Sequence, residues 1–162
     1  MYRIANFQKV SFDIYKEARG EDCRAEYEAI KLPVRATRGS AGYDFFSPVR
    51  FELAPGESIK LATGVRVKID EGWALMLYPR SGLGFKYRLQ FDNTVGVIDS
   101  DYYYSYNEGH IFIKMTNDSR DNKSIVIERG AAFAQGVFTP FGLTVDDDVT
   151  AVRNGGFGST SN

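Results

Sequence analysis

The chain has 162 residues, 43% hydrophobic and 25% charged, and its 20 basic and 21 acidic residues leave a formal net charge of -1. That length suits one domain with a sizeable core. The near-zero charge argues against general binding of nucleic acid or an anionic membrane surface, which both want a basic excess. One cysteine, Cys23, excludes an internal disulfide, and one histidine, His110, excludes a His-rich metal cluster. No apolar run approaches the roughly 18 residues of a membrane span and "MYRIANFQKVSF" lacks a signal-peptide pattern, so a cytoplasmic protein is expected, or a nuclear one in a host with a nucleus.

In chain order, "SFDIYKEA" predicts a short helix capped by Ser11, with Phe12, Tyr15 and Lys16 to one side. "EARGEDCRAE", about residues 17–28, is charged and poor in aliphatics and reads as a surface excursion. Strand signals follow: "SIKLATGVRVKI" alternates around Gly64, "WALMLYP" is a buried run, "HIFIKMTN" and "SIVIERG" alternate, and "AAFAQGVFTPF" is apolar through its middle. Short strands punctuated by Gly and Pro predict an all-β sandwich or barrel. Asp146, Asp147 and Asp148 read as a solvated turn, dividing residues 1–148, the β domain, from a glycine-rich tail at 149–162.

Four segments put polar residues and glycines inside apolar surroundings. "YPRSGLGFK" offers a guanidinium, a hydroxyl and exposed backbone N–H groups, a composition that suits an anion or an ordinary turn. In "NTVGVIDSDYYY", Asp99 and Asp101 stand two apart and face the same way if the segment is extended; each is a candidate general base, or the start of an Asp-Ser-Asp turn. Gln135 in "RGAAFAQG" has an amide able to orient water or bind phosphate oxygen. The tail "RNGGFGSTSN" combines Arg153, open glycine N–H groups and hydroxyls with Phe157, a ring suited to stacking; the plain alternative is a flexible terminus.

The order of these segments resembles the five motifs of the trimeric dUTP pyrophosphatases (dUTPases): "AGYDFFSP", "YPRSGLGFK", "NTVGVIDSDY", "RGAAFAQG" and "RNGGFGSTS" in turn. The resemblance implies a distorted jelly-roll β-barrel with a mobile C-terminal arm. It also implies hydrolysis of dUTP to dUMP and pyrophosphate with Mg²⁺, which limits uracil in DNA and supplies dUMP for thymidylate synthesis. Asp99 would be the base activating the water that attacks the α-phosphorus, with Arg80 and Gln135 around the phosphates. Ser81 and Gly82 would hold the phosphate chain. Asn93, Gly96, Val97 and Ile98 would read the uracil edge, and Tyr102 would pack on the deoxyribose and exclude a 2'-hydroxyl. In the closing lid, Phe157 would stack on uracil while Arg153, Gly158, Ser159 and Thr160 approach the phosphates. No direct protein ligand to the metal is implied, Mg²⁺ being held by phosphates and waters with Asp44 near its hydration shell. Each site would be shared between subunits of a homotrimer, with neither nucleic acid nor membrane as a partner.

The sequence departs from the family pattern in several places. Tyr103–Asn107 looks like a five-residue insertion before Gly109, expected to lengthen a hairpin, and His110 beyond it is expected at the surface or an interface. Ala131 and Ala132 stand where charged residues are common, Arg88 replaces a common glycine, and Arg153 lies one residue closer to Gly-Gly-Phe than in many members. A dCTP deaminase is the rival enzyme, but it needs a glutamate that "HIFIKMTN" lacks. The exposed tyrosines of "YYYSYN" leave room for a dUTPase that also binds a regulatory protein.

Overall fold

The computed structural model describes residues 2–153 and 155. Twelve strands dominate: β1 (Ala5–Lys9), β2 (Val34–Arg35), β3 (Tyr43–Phe46), β4 (Phe51–Leu53), β5 (Ser58–Ala62), β6 (Val65–Ile69), β7 (Trp73–Pro79), β8 (Leu89–Phe91), β9 (Gly96–Ile98), β10 (Phe112–Asn117), β11 (Ile125–Ile127) and β12 (Ala132–Pro140). They pair antiparallel in four sheets, in orders β1-β6, β5-β10-β8, β11-β4 and β2-β3-β12-β7-β9. Along β4, β8, β9 and β11 a buried residue, an exposed one and a buried one alternate, the period-two pattern that turns one sheet face to a core. Phe45, Leu61, Leu75, Leu77, Met115, Ile125 and Phe133 meet in that core, each with almost no exposure. The strands read from "WALMLYP" and "AAFAQGVFTPF" become β7 and β12, the central pair of the largest sheet.

Ser11 caps α1 (Phe12–Arg19), accepting from the Ile14 N–H as its position predicts. Residues 17–28 differ from a plain excursion. They complete α1 and form α2 (Arg24–Glu28), joined by Glu26, which accepts from the Tyr15 hydroxyl and pairs with Arg19 at 2.7 Å, while Cys23 is buried beneath. Alternation within the helices is too short to show this, because tertiary contacts hold them. The helices rest on Gly64 between β5 and β6. Its φ of +70° and the Ile30 methyl 2.2 Å from where a Cβ would stand leave room only for glycine.

α3 (Ser81–Tyr87) follows β7 directly and ends at Arg88, which has the left-handed φ of 54° that a helix C-terminus usually gives to glycine. Arg88 also pairs with Asp118 at 3.0 Å. The insertion forms no hairpin: Ser100–Tyr104 is a 3₁₀ helix followed by tight turns.

Candidate functional site

The predicted site residues fall into two groups along β7. At the end of β7, Arg80 pairs through Nε with Asp44 at 3.2 Å and donates to the Ala132 carbonyl at 3.5 Å. Gln135 stands between them in the sheet, opposite Tyr78 on β7 and Asp44 on β3, and donates to the Pro79 carbonyl at 3.2 Å. Ser81 and Gly82 form the first turn of α3, whose leading N–H groups have no acceptor within a helix. Asp44, Arg80, Ser81, Gly82 and Gln135 thus share one corner, with a cation and amide donors suited to phosphate.

The second cluster runs back along β7, where Gly96, Val97 and Ile98 stand opposite Leu77, Met76 and Leu75. Gly96, Val97 and Ile98 make β9, an edge strand paired only with β7, so alternate backbone N–H and C=O groups point away from the sheet. Beside them is a cavity of about 350 Å³ lined by Phe91, Asn93, Gly96, Ile98, Phe112 and Lys60. Apolar walls next to an open strand edge suit a flat heterocycle with an amide-like edge. Lys60 and Phe112 were not legible as site residues, since only the pairing of β5 with β10 brings their strands together.

Asp99 follows β9. Burial pushes its carboxyl above the ordinary carboxylate range, Arg153 works against that shift, and the charge of Asp101 adds to it. Arg153 bridges both carboxylates of its own chain, at 2.6 Å to Asp99 and 2.9 Å to Asp101. Its guanidinium lies 5.9 Å from the centre of the Tyr102 ring. Tyr102 is buried in the 3₁₀ helix, and burial raises its phenol pKa. Phe157, Gly158, Ser159 and Thr160 lie outside the described residues.

His110 is no surface residue: it is buried, stacks 4.3 Å from Phe112, and accepts the Gly64 N–H at Nε2 over 2.9 Å. Burial lowers its pKa to about 4. Among the described residues no three His, Cys, Asp or Glu side chains are grouped to hold a metal, and no helix is long and apolar enough to cross a membrane.

Within one chain Asp99 stands well apart from Arg80. Leu75 faces Ile98, so Asp99 falls level with Ala74, six positions from Arg80; at ~3.3 Å per strand residue the separation is about 20 Å.

A base-sized cavity on an open strand edge and a separate phosphate-suited corner define a nucleotide-handling β fold. The dUTPase family model matches residues 28–161. A deoxyuridine 5'-triphosphate nucleotidohydrolase of Lactococcus lactis is 41% identical over 148 residues, covering 88% of this chain and 97% of that protein. One of Shigella sonnei is 42% identical over 135 residues, covering 78% and 85%. Among solved structures, a dUTPase from Streptococcus mutans superimposes with a TM-score of 0.67 at 37% identity, over 88% of this chain and 99% of that one. The dUTPase of Staphylococcus bacteriophage 80alpha, solved with dUPNHPP, gives 0.67 at 25% identity over 99% and 100%. The chain belongs to the dUTPase family, and the mostly β jelly-roll expected from its motifs is the fold of these neighbours.

Proposed function

We propose that this chain hydrolyses dUTP to dUMP and pyrophosphate, through attack of water on the α-phosphorus. The observation that carries the reading is Asp99, a half-buried carboxylate that directly follows β9 and its last residue Ile98, which lines a base-sized cavity. A base needs a pKa near its working range, and burial moves Asp99 in that direction. Asn93 and the backbone of Gly96, Val97 and Ile98 read uracil, and Tyr102 packs on the deoxyribose. Ser81 and Gly82 hold the phosphate chain, and Arg80 offsets charge developing on it. Gln135 orients the attacking water, and Asp44 holds the Arg80 guanidinium in place at 3.2 Å. The tail supplies Arg153, with Phe157, Gly158, Ser159 and Thr160, to close over the nucleotide.

Magnesium enters as part of the substrate, as the Mg²⁺ complex of dUTP, where it neutralises phosphate charge. Mg²⁺ commonly keeps its waters and binds through substrate phosphates, which is the role given to it here. Asp44 can reach only its hydration shell.

The separation of Asp99 from Arg80, about 20 Å from six strand positions at ~3.3 Å each, supports a site shared between subunits. The complete site therefore joins Arg80, Ser81 and Gln135 of one subunit to Asp99 and Tyr102 of another, in a homotrimer closed by threefold symmetry. Release of pyrophosphate from dUTP, dTTP, UTP and dCTP with Mg²⁺, measured in parallel, tests the activity. Strong preference for dUTP is expected, and ammonia released from dCTP would instead mark a deaminase.

A regulatory protein partner is a second reading, favoured by Tyr104 and Tyr106, 70% and 77% exposed beside Asp99 and Asp101. The phage 80 dUTPase, a structural neighbour at 25% identity, is described as having a SaPI-inducing capacity. A partner seated there would compete with dUTP, and titration in the presence of dUPNHPP would reveal the competition.

A further inference from the structure

The insertion Tyr103–Asn107 leaves the chain at Tyr102 and returns to the same place. Gly109 has φ +70°, and a Cβ there would stand 2.8 Å from both the Tyr102 carbonyl oxygen and the Tyr103 Cα. The excursion is closed at its neck by this glycine, which no larger residue can replace without moving Tyr102. Inside it, the Asn107 side chain spans the neck. Its Nδ2 donates to the Tyr102 hydroxyl at 2.9 Å, and its Oδ1 accepts the Gly109 N–H at 3.1 Å. The Tyr102 hydroxyl in turn donates to the His110 carbonyl at 2.7 Å. Two bonds in different directions fix both the position and the rotation of the phenol.

The insertion is itself tied down. Arg66 lies 3.7 Å over the Tyr103 ring and donates to the Tyr103 carbonyl at 2.8 Å. The Tyr103 hydroxyl donates to Gln8 at 2.8 Å, and Glu108 accepts the Ser11 N–H at 2.7 Å. Gln8 and Ser11 precede residue 28, where the match to the family begins.

We infer that Asn107 is a positioning residue that locks the Tyr102 ring through its hydroxyl and thereby sharpens the enzyme's choice of a 2'-deoxynucleotide over a ribonucleotide. The inference rests on the placing of Tyr102 against the sugar. A ring excludes a 2'-hydroxyl by shape only if it cannot tilt away, and a phenol anchored at its tip by two hydrogen bonds cannot. Asn107 touches no reacting atom, so it acts on selectivity and not on the water attack.

The test uses the full chain with Mg²⁺ and reads the ratio of kcat/KM for dUTP to that for UTP. Asn107→Ala, Asn107→Asp and Tyr102→Phe should each narrow that ratio by about threefold to tenfold, the range of one ordinary hydrogen bond. Asn107→Asp keeps an acceptor for the Gly109 N–H and puts a charged acceptor in place of the amino donor to the Tyr102 hydroxyl, so a narrowing there comes from the hydroxyl's partner and not from the turn. Because Tyr102→Phe already removes the hydroxyl that Asn107 holds, the double variant Asn107→Ala with Tyr102→Phe should be no worse than Tyr102→Phe alone. Additive effects, or a wild-type ratio in both Asn107 variants while Tyr102→Ala narrows it, would overturn the inference and leave the sugar reading intact. A wild-type ratio in Tyr102→Ala would overturn both. If the Asn107 variants do not fold, Tyr102→Phe decides: a narrowed ratio supports the lock and an unchanged one refutes it.

Discussion

If a nucleotide is held by two clusters from different chains, two dead proteins should restore each other. Consider Asp99→Asn, which loses the base, and Arg80→Ala, which loses the phosphate cation while leaving Asp99 untouched. Each alone should fall by roughly a hundredfold or more, the scale of a lost general base or electrostatic donor. When equal amounts are unfolded together and refolded, a site works only if its Asp99 donor and its Arg80 donor are both intact. In a closed ring these are different subunits, each intact with a chance of about one half, so about a quarter of sites should recover. The structural premise is the register that sets Ile98 against Leu75 and sends Arg80 off the other end of β7. Pyrophosphate release read against each parent, with mass analysis confirming mixed oligomers, makes the signal at least tenfold above background on these roughly estimated figures. Mixed oligomers no more active than their parents would show that both groups come from one chain, and the separation argued from strand spacing would be wrong.

Three further outcomes are expected. Arg153 opposes the burial-driven rise of the Asp99 pKa, so Arg153→Ala should move the acid limb of kcat/KM to higher pH, and an unmoved limb would deny that their contact persists in the working enzyme. Deleting residues 153–162 spares every buried core residue among those described and should leave the oligomer intact while lowering turnover by about a hundredfold, the scale of a lost electrostatic clamp; an oligomer that falls apart would make the tail structural. His110 is held neutral in the fold, with its pKa lowered from 6.5 to about 4, so the unfolded chain takes up the proton first. Stability should be complete above pH 6.5, fall as pH drops toward 4 by up to about 3 kcal/mol, and then level off; His110→Gln should flatten that slope in denaturant titrations at successive pH values.

The strands were legible wherever burial on one face imposed an alternating pattern, as in β6 and β10, or burial on both faces imposed an apolar run, as in β7. Ser11 announced its helix because a cap is a local device. What escaped was set by contacts distant in sequence. Residues 17–28, the end of α1 and all of α2, looked like loose surface because the anchors beneath them, Tyr15 and Cys23, are buried against partners far along the chain, including Gly64. Lone His110 beside an insertion gave no sign of burial, since what buries it comes from Tyr15, Gly64 and Phe112 together. Among site residues, Asp99, Tyr102 and Gln135 could be found through motif order, whereas Asn107 lies in an insertion that no motif covers.

These unseen contacts form one continuous line. Tyr15 in α1 lies 6.0 Å from the His110 ring, the His110 Nε2 accepts from Gly64, and the His110 carbonyl accepts from Tyr102. A protonated His110 would lose its acceptor nitrogen, which explains why burial in its neutral form is compatible with this place. The N-terminal segment reaches the same tyrosine by a second route, through Gln8 and Ser11 to the insertion. Both routes start before residue 28, outside the part matched to the family, and both end at the residue proposed to meet the sugar, not at Asp99 or Arg80. A change in an anchor on either route therefore acts on how firmly Tyr102 is held, while the carboxylate and guanidinium keep their own local supports.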